Sequence, residues 1–280
     1  MCIRDRDRPA HTDAIFALVT TVDRGRTTCI TDDAVIVTAM KARELGPKSV
    51  VVGDRIKIVG DVSGTDGTLA RIVSVEPRRN SLSRTVDDSA QVERTIVANI
   101  DQLVIVAAVT NPEPRRGLID RFLVCAFHES IRPILLMTKT DLAPLPEFVD
   151  EYRKLGVTIL TSSSKAESHE SDVAMIKEIL AGKTSVLVGH SGVGKSTLIN
   201  ALVPHAGRIT GIVNTVTGRG RHTSSSAIAL PLSSELKSHD GWIIDTPGIR
   251  AFGLAHLDSN RIIAAFALSL IHISEPTRPY

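Results

Sequence analysis

Gly189-His190-Ser191-Gly192-Val193-Gly194-Lys195-Ser196 is the stretch of this chain that decides its fold. The spacing is G-x-x-x-x-G-K-[ST], with the apolar run 185–188 before it and the apolar-rich segment 197–202 after it. A buried strand, a glycine-rich turn and the start of a helix are the context in which this spacing binds phosphate. The sequence therefore predicts a nucleoside triphosphate site at this stretch.

Each residue type in this loop suits a phosphate site. The glycines let the backbone bend tightly and direct successive N–H groups at phosphate oxygens, and the start of the following helix adds a partial positive charge. Lys195 is predicted to bind the β- and γ-phosphates, and the Ser196 hydroxyl to bind Mg²⁺. We expect every residue from Gly189 to Thr197 to contact the nucleotide.

The composition limits the class of protein. The chain has 280 residues, of which 42% are hydrophobic and 23% charged, as expected for a globular protein of about two domains. A net charge of +2 does not by itself indicate nucleic-acid binding. Three cysteines without paired spacing argue against a disulfide framework and fit a reducing cytosol. No apolar run approaches the ~18 residues of a membrane span, so we expect a cytoplasmic protein without membrane contact.

The two ends of the chain carry an unusual relation. A single short DNA element can encode residues 1–6 and, on its opposite strand, residues 268–273. Adapters that flank fragments in transposon-derived libraries are inverted in this way. We hypothesise that residues 1–6 and 268–280 are adapter translation, so that the natural protein continues past Ala267. Sequencing the source gene across both junctions tests this, and an uninterrupted native reading frame would contradict it.

Short strands rich in Val, Ile and Thr occupy the first part of the chain, at 14–22, 27–31, 34–39, 49–59 and 69–75. About five strands in so short a segment predict a small all-β barrel such as an OB-fold, which we assign to residues 7–90. The segment 76–84 contains Arg78, Arg79 and Arg84 and is predicted to be an exposed linker. An RNA-facing role and a solvated loop are equally compatible with it.

From residue 91 to 267 the pattern changes to alternating strands and helices. Apolar runs at 101–108, 133–137, 157–160 and 185–188 alternate with helical patterns that begin near 118, 146 and 173. This alternation predicts a mostly parallel sheet with helices on both faces. Ligands of such sheets bind at the carboxyl ends of the strands.

Thr138-Lys139-Thr140-Asp141 follows one of these strands and suits a guanine-binding loop. The Asp141 carboxylate can accept from both N1–H and the N2 amine of guanine, a pair that adenine lacks. The aliphatic part of Lys139 would lie along the base. Thr138 replaces the usual Asn of N-K-x-D and loses its amide, so we expect weaker nucleotide affinity.

The serine-rich segment 161–164 follows the next strand, and its backbone N–H groups are candidates to meet guanine O6. We single out Ser162 and Ser163 for this contact. Taken alone, the segment is better explained as a serine-rich loop without a ligand.

Trp242-Ile243-Ile244-Asp245-Thr246-Pro247-Gly248 is a strand that ends in D-T-P-G. Asp245 is predicted to hold Mg²⁺ through water, and the Gly248 N–H to contact the γ-phosphate. The basic loop 218–224 lies between the two phosphate motifs, and its Thr223 is the candidate to bind Mg²⁺ when the γ-phosphate is present. Ser224 is the second candidate for that role.

The order of these motifs is informative. Ordinary GTPases present the phosphate loop first and the guanine-binding motifs last, whereas here the guanine-binding motifs come first. This circular permutation after a small barrel resembles the RsgA family, ribosome small subunit-dependent GTPase A, also called YjeQ, over about residues 13–267. The matching residues are Asn99 to Asp101, Leu118 to Arg121, Thr138, Lys139, Asp141, Gly189 to Ser196, Gly218 to Thr223, Asp245 to Gly248 and Phe252 to Leu254.

The resemblance implies a circularly permuted α/β P-loop GTPase domain preceded by an OB-fold. It also implies binding of GTP, GDP and Mg²⁺, action in late maturation of the 30S ribosomal subunit, contact of the barrel with ribosomal RNA, and hydrolysis stimulated by the small subunit. We expect a monomer. The family's C-terminal zinc module has no counterpart here, since no cysteine follows Cys125 and we assign no metal to His256 or His272. Zinc is expected only in a full-length protein.

Ile249 stands where many GTPases carry a glutamine that orients the attacking water. Intrinsic hydrolysis should therefore be slow. We hypothesise that His222 is brought to the water when its loop orders on the ribosome, and that Thr223 and Gly248 complete the catalytic site. His222 could equally contact RNA or cap its loop. An RNA-binding assembly factor that uses nucleotide only as a structural ligand, and an ATP-using enzyme, remain alternative functions.

Overall fold

The structure is a computed structural model that describes residues 11–23, 25–43, 45–46, 50–87, 90–163, 166–205, 227–233 and 241–246. Its first unit contains β1 (Ile15–Asp23), β2 (Arg26–Thr31), β3 (Ile36–Lys41), β4 (Arg55–Gly60) and β5 (Ala70–Val75). These strands follow the order β1-β2-β3-β5-β4, and β4 pairs again with β1. The sheet thus closes into a five-stranded barrel consistent with the predicted OB-fold.

A two-stranded hairpin follows the barrel, formed by β6 (Ser81–Asp87) and β7 (Ala90–Ala98). The sequence predicts no strands here, because β6 is largely polar. Leu82 and Val97 pair across the hairpin and are almost completely buried. They pack with Ile100 and Leu103 in a core cluster shared with the next sheet. The hairpin is therefore stabilised by the burial of Leu82 and Val97 at one end, although β6 itself is largely polar.

The second unit is built on β8 (Gln102–Ala108), β9 (Arg132–Thr138), β10 (Thr158–Ser162), β11 (Thr184–Val188), β12 (Ile228–Pro231) and β13 (Trp242–Asp245). Their order is β10-β9-β8-β11-β13-β12, and every pair except β12–β13 is parallel. The mostly parallel sheet confirms the prediction, while β12 was not predicted. One antiparallel register pair, Thr21 with Ile228, continues this sheet into β1 of the barrel.

Four helices cover the two faces of the sheet: α1 (Arg116–His128), α2 (Val149–Lys154), α3 (Ala166–Leu180) and α4 (Lys195–Leu202). Successive residues of a strand point to opposite faces. Accordingly Leu103 and Ile105 pack in the cluster that contains α1 and α2, while Val104 and Val106 pack with α3 and α4. The predicted coverage of both faces is confirmed. Among the described helices, none has the length and apolar character that a membrane span requires.

Polar contacts link the segment 76–84 to the barrel on one side and to the start of the sheet on the other. Asp54 is fully buried and accepts from Nε and Nη2 of Arg78 at 2.7 and 2.8 Å, and from the Val51 N–H at 2.8 Å. Arg79 donates to Asp101 at 2.9 Å, and Asp101 also accepts from the Thr184 N–H at the start of β11. Two arginines of the predicted exposed linker are therefore engaged within the protein.

Candidate functional site

The loop between β11 and α4 depends on glycine. Gly189 has φ +151°, and a Cβ atom there would lie 2.2 Å from the Val106 carbonyl oxygen. No larger residue fits so close to a backbone oxygen. Gly194 has φ +95° and caps α4, whose first residue is Lys195. The strand, turn and helix predicted around the G-x-x-x-x-G-K-S spacing are thus confirmed.

Lys195 folds back over this loop. Its Nζ donates to the carbonyl oxygens of Gly189 at 2.7 Å and His190 at 3.0 Å. Burial lowers the pKa of Lys195, and the nearby Asp245 carboxylate opposes that shift. A half-buried ammonium at a helix N-terminus is an environment that favours an anionic ligand.

Asp245 ends β13 beside β11, in register with Leu187. Burial raises the pKa of Asp245, while Lys195 and a hydrogen bond from the Thr246 N–H lower it. The Thr246 hydroxyl donates to the Leu187 carbonyl at 3.0 Å and fixes this strand end. Ser196 is exposed in the first turn of α4. A hydroxyl and a carboxylate are oxygen ligands of the kind that Mg²⁺ prefers, so this pair fits the ion.

Thr138 connects the guanine-loop candidate to the phosphate-loop candidate. Its side chain is buried, and Oγ1 lies 2.6 Å from the Val193 carbonyl oxygen and 3.3 Å from that of Ala107. A hydroxyl has one proton to donate, and the shorter contact indicates that Val193 receives it. The threonine that replaces the usual asparagine therefore keeps a direct link between the two loops.

Lys139 has a left-handed backbone with φ +60°. Its Nζ donates to the Asn111 carbonyl oxygen, and its own carbonyl accepts from the Leu142 N–H at 2.9 Å. This turn carries Asp141, which is half-buried. The left-handed residue lets the chain reverse directly after β9, so that the loop stays at the strand end.

A cleft of about 230 Å³ opens between this loop and α4. The lining residues are Thr138, Lys139, Leu142, Ser162, Ser163, His169, Gly194, Thr197 and Leu198. Six of them are predicted nucleotide contacts, whereas Leu142, His169 and Leu198 were not predicted. Asp141 lies on the same loop but not among the lining residues.

Two residues of α3 bond to the serine-rich segment. The Ser163 N–H donates to Oδ2 of Asp172, and the Ser163 carbonyl accepts from Nδ1 of His169, both at 2.9 Å. In this arrangement the Ser163 N–H is already bonded. His169 and Asp172 were not predicted as site residues, because the helix was expected to begin near residue 173 and not at Ala166. Their spacing with Ile176 follows the helical period and could have extended that helix.

Several predicted residues lie outside the described ranges. They are Ser164, His222, Thr223, Ser224, Gly248 and Ile249. Their assigned roles stay predictions.

The sequence and the fold are similar to those of known proteins. The family model described as RsgA GTPase matches residues 75–255. Curated relatives of this chain carry the name small ribosomal subunit biogenesis GTPase RsgA. The relative from Ectopseudomonas mendocina (strain ymp) is 40% identical over 202 residues, which are 70% of this chain and 55% of that protein. The relative from Alkaliphilus metalliredigens (strain QYMF) is 30% identical over 251 residues, which are 85% of this chain and 78% of that protein.

Two solved structures share the fold. YjeQ from Thermotoga maritima gives a TM-score of 0.63 at 24% identity, covering 94% of this chain and 88% of that one. YloQ, described as a circularly permuted GTPase, gives a TM-score of 0.63 at 21% identity, covering 98% and 85%. This chain thus spans a little more than half the length of the Ectopseudomonas relative and most of both solved chains.

Proposed function

Because this chain belongs to the RsgA GTPase family, we propose that it binds GTP and GDP at the sheet edge and hydrolyses GTP. The observation that carries the proposal is the convergence of three motifs at the strand ends. The glycine loop with Lys195 follows β11, Asp245 ends the neighbouring β13, and the Thr138–Asp141 loop is bonded to the glycine loop through Val193. Phosphate, metal and base contacts would thus lie around one cleft in a P-loop GTPase arrangement.

The phosphates would lie against the residues from Gly189 to Thr197. Lys195 would exchange its two carbonyl partners for phosphate oxygens, which relieves the cost of its burial. Ser196 and Asp245 would hold Mg²⁺, the latter through water, and Thr223 would be a further ligand. When bound, the ion neutralises charge on the phosphate oxygens.

Base selection is assigned to Asp141, with Lys139 along the base. In Asp141→Asn, the amide can accept from guanine N1–H but cannot also accept from the N2 amine. We expect GTP affinity to fall by about 10- to 100-fold, the effect of one lost bidentate contact. Titration with GDP and with xanthosine diphosphate tests this, because the asparagine N–H can donate to the xanthine O2. Unchanged GDP affinity would favour the ATP-using alternative.

Water activation is assigned to His222, with Thr223 and Gly248 at the γ-phosphate. Ile249 can neither donate nor accept a hydrogen bond, so the chain needs a polar group from elsewhere. In His222→Ala, stimulated turnover should fall while GDP affinity is kept. Unchanged turnover would exclude the catalytic role.

The partner that we propose is the small ribosomal subunit with its RNA, bound by a cytoplasmic monomer. One outer face of the barrel suits RNA, because register pairs place Arg26 and Arg71 on either side of the exposed Met40. Cationic side chains around an exposed apolar group are typical of RNA-binding surfaces. Replacing both arginines by glutamine should weaken binding to 30S subunits and leave GDP affinity unchanged.

The decisive experiment is hydrolysis of GTP with and without purified 30S subunits, with ATP as the control nucleotide. Stimulation limited to GTP supports the proposal. GTP binding without stimulated turnover would favour the alternative that Ile249 allows, an RNA-binding factor for which nucleotide is a structural ligand. Repeating the assay with a full-length relative would separate that alternative from a chain that is too short to dock.

A further inference from the structure

His169 and Asp172, near the start of α3, hold the backbone of Ser163 at both of its polar groups. Nδ1 of His169 donates to the carbonyl, and Oδ2 of Asp172 accepts from the N–H, each at 2.9 Å. Because a carbonyl oxygen only accepts, the proton in the first bond is carried by Nδ1. Residues three apart lie on one face of a helix, so a single face of α3 provides both bonds. We call this pair the α3 clamp.

The clamped residue belongs to the wall of the cleft. Ser163 follows the last residue of β10 and, like His169, lines the same cleft as Thr138 and Lys139. The register of β10 with β9 fixes the chain up to Ser162, which pairs with Thr138. Beyond that strand end, the α3 clamp determines how the backbone of Ser163 is oriented. The Thr140 N–H donates to the Ser162 carbonyl at 3.4 Å, so the strand end is already joined to the Thr138–Asp141 loop, and the α3 clamp orients the residue that follows it along the cleft.

We propose that His169 and Asp172 are positioning residues for recognition of the guanine base. They act through Ser163, holding the serine side of the cleft at the width that a purine needs against the Thr138–Asp141 loop. A wall fixed before binding lowers the ordering cost that the base would otherwise meet. The bond to Asp172 is the stronger of the two, since its acceptor is a carboxylate. This inference rests on the proposed nucleotide function.

Asparagine and alanine variants at positions 169 and 172 show whether the hydrogen bonds to Ser163, rather than the histidine and aspartate side chains themselves, are needed for binding. Asparagine at position 169 places an N–H donor where Nδ1 lies, and asparagine at position 172 places a carbonyl acceptor where Oδ2 lies. Alanine at either position has no side-chain donor or acceptor and removes the hydrogen bond to Ser163. We expect His169→Ala and Asp172→Ala each to bind GDP about tenfold more weakly, and the two asparagine variants to stay within about twofold of the wild type. Calorimetric titration of the whole chain measures this, and thermal unfolding shows whether each variant is folded.

A second nucleotide distinguishes positioning from direct contact. Inosine diphosphate keeps O6 and N1–H but lacks the N2 amine. If the clamp acts on the serine wall, the alanine variants lose affinity for GDP and inosine diphosphate by the same factor. A loss confined to GDP would mean that Nε2 of His169 contacts the amine, and would overturn the positioning role. Affinity kept in His169→Gln but lost in His169→Asn would overturn it too, because glutamine places its polar group where Nε2 lies.

Three further outcomes are decisive. Tighter GDP binding by Asp172→Ala would show that the carboxylate competes with the base for the Ser163 N–H, which contradicts the inference. Equal GDP affinity in the wild type and all variants would overturn the inference and leave the proposed function intact. A folded wild-type chain without affinity for guanine nucleotides would overturn both.

Discussion

Thr138 illustrates at the scale of one residue how a short side chain can join two candidate binding loops. Its hydroxyl reaches the Val193 carbonyl across 55 residues of sequence, in a site with almost no exposure. The Thr138–Asp141 loop and the glycine loop 189–196 are therefore joined by a direct hydrogen bond. Preorganisation of this kind reduces the cost of ordering both loops on binding.

Thr138→Val keeps the shape of this side chain and removes the donor. The Val193 carbonyl then loses its partner in a buried place, and we expect about 1 kcal/mol lower free energy of unfolding together with weaker GDP binding. Urea denaturation and titration measure the two effects. Thr138→Ser is the matched control, because it keeps the hydroxyl. Equal behaviour of the valine and serine variants would show that the bond has no role.

At the scale of the element, the turn between β11 and α4 is set by close backbone approach. A Cβ atom added at Gly189 would lie 2.2 Å from the Val106 carbonyl oxygen of the neighbouring strand β8, whereas one added at Gly192 would meet its nearest atom, Cδ of Pro112, at 3.7 Å. Both have positive φ. Comparing an alanine substitution at each glycine therefore distinguishes the free-energy cost of a steric clash from that of backbone strain.

Gly189→Ala should lower the free energy of unfolding by about 3 kcal/mol and abolish GDP binding, because its Cβ would overlap a backbone oxygen that cannot move away. Gly192→Ala meets only the strain of its conformation and should cost about 1 kcal/mol. Chemical denaturation of both variants measures the difference. A Gly189→Ala variant as stable as Gly192→Ala would contradict this account of the turn.

At the scale of the whole molecule, a buried ion pair holds the barrel to the segment 76–84, and apolar packing joins the barrel to the core of the sheet. Asp54 of the barrel is completely buried beside Arg78. Val52 of the same barrel loop bridges to Val97 of the hairpin and joins the core of the sheet. The placement of the barrel is thus coupled to the folding of the sheet.

Arg78→Met removes the partner of a buried carboxylate, which then keeps only the Val51 N–H among the contacts described above. We expect a loss of about 3 kcal/mol in the free energy of unfolding, because a buried charge without its counter-ion is costly. Arg79→Met is the control. Its side chain is 62% exposed, so loss of its ion pair should cost about 1 kcal/mol or less. Similar urea midpoints for the two variants would contradict the expectation that the buried ion pair contributes more to stability than the exposed one.

The sequence by itself determined the order of the motifs and most of the elements, though not β6, β7 and β12. Apolar alternation predicted the barrel strands and the parallel sheet, and the G-x-x-x-x-G-K-S spacing predicted the turn before α4. These features are local, since periodicity and turn chemistry depend on neighbouring residues. The predicted permutation is supported by the likeness in fold to YloQ.

Only the tertiary structure decided which side chains meet. The link from Thr138 to Val193, the pairing of Arg78 with Asp54, the α3 clamp on Ser163 and the buried end of the β6–β7 hairpin all join segments that are separated in sequence or cross an element boundary. The position of a polar residue in the sequence does not reveal whether its side chain faces water or bonds to a residue far away in the chain. Its partner is fixed when the strands take their order in the sheet, because that order places the loops at their ends beside one another.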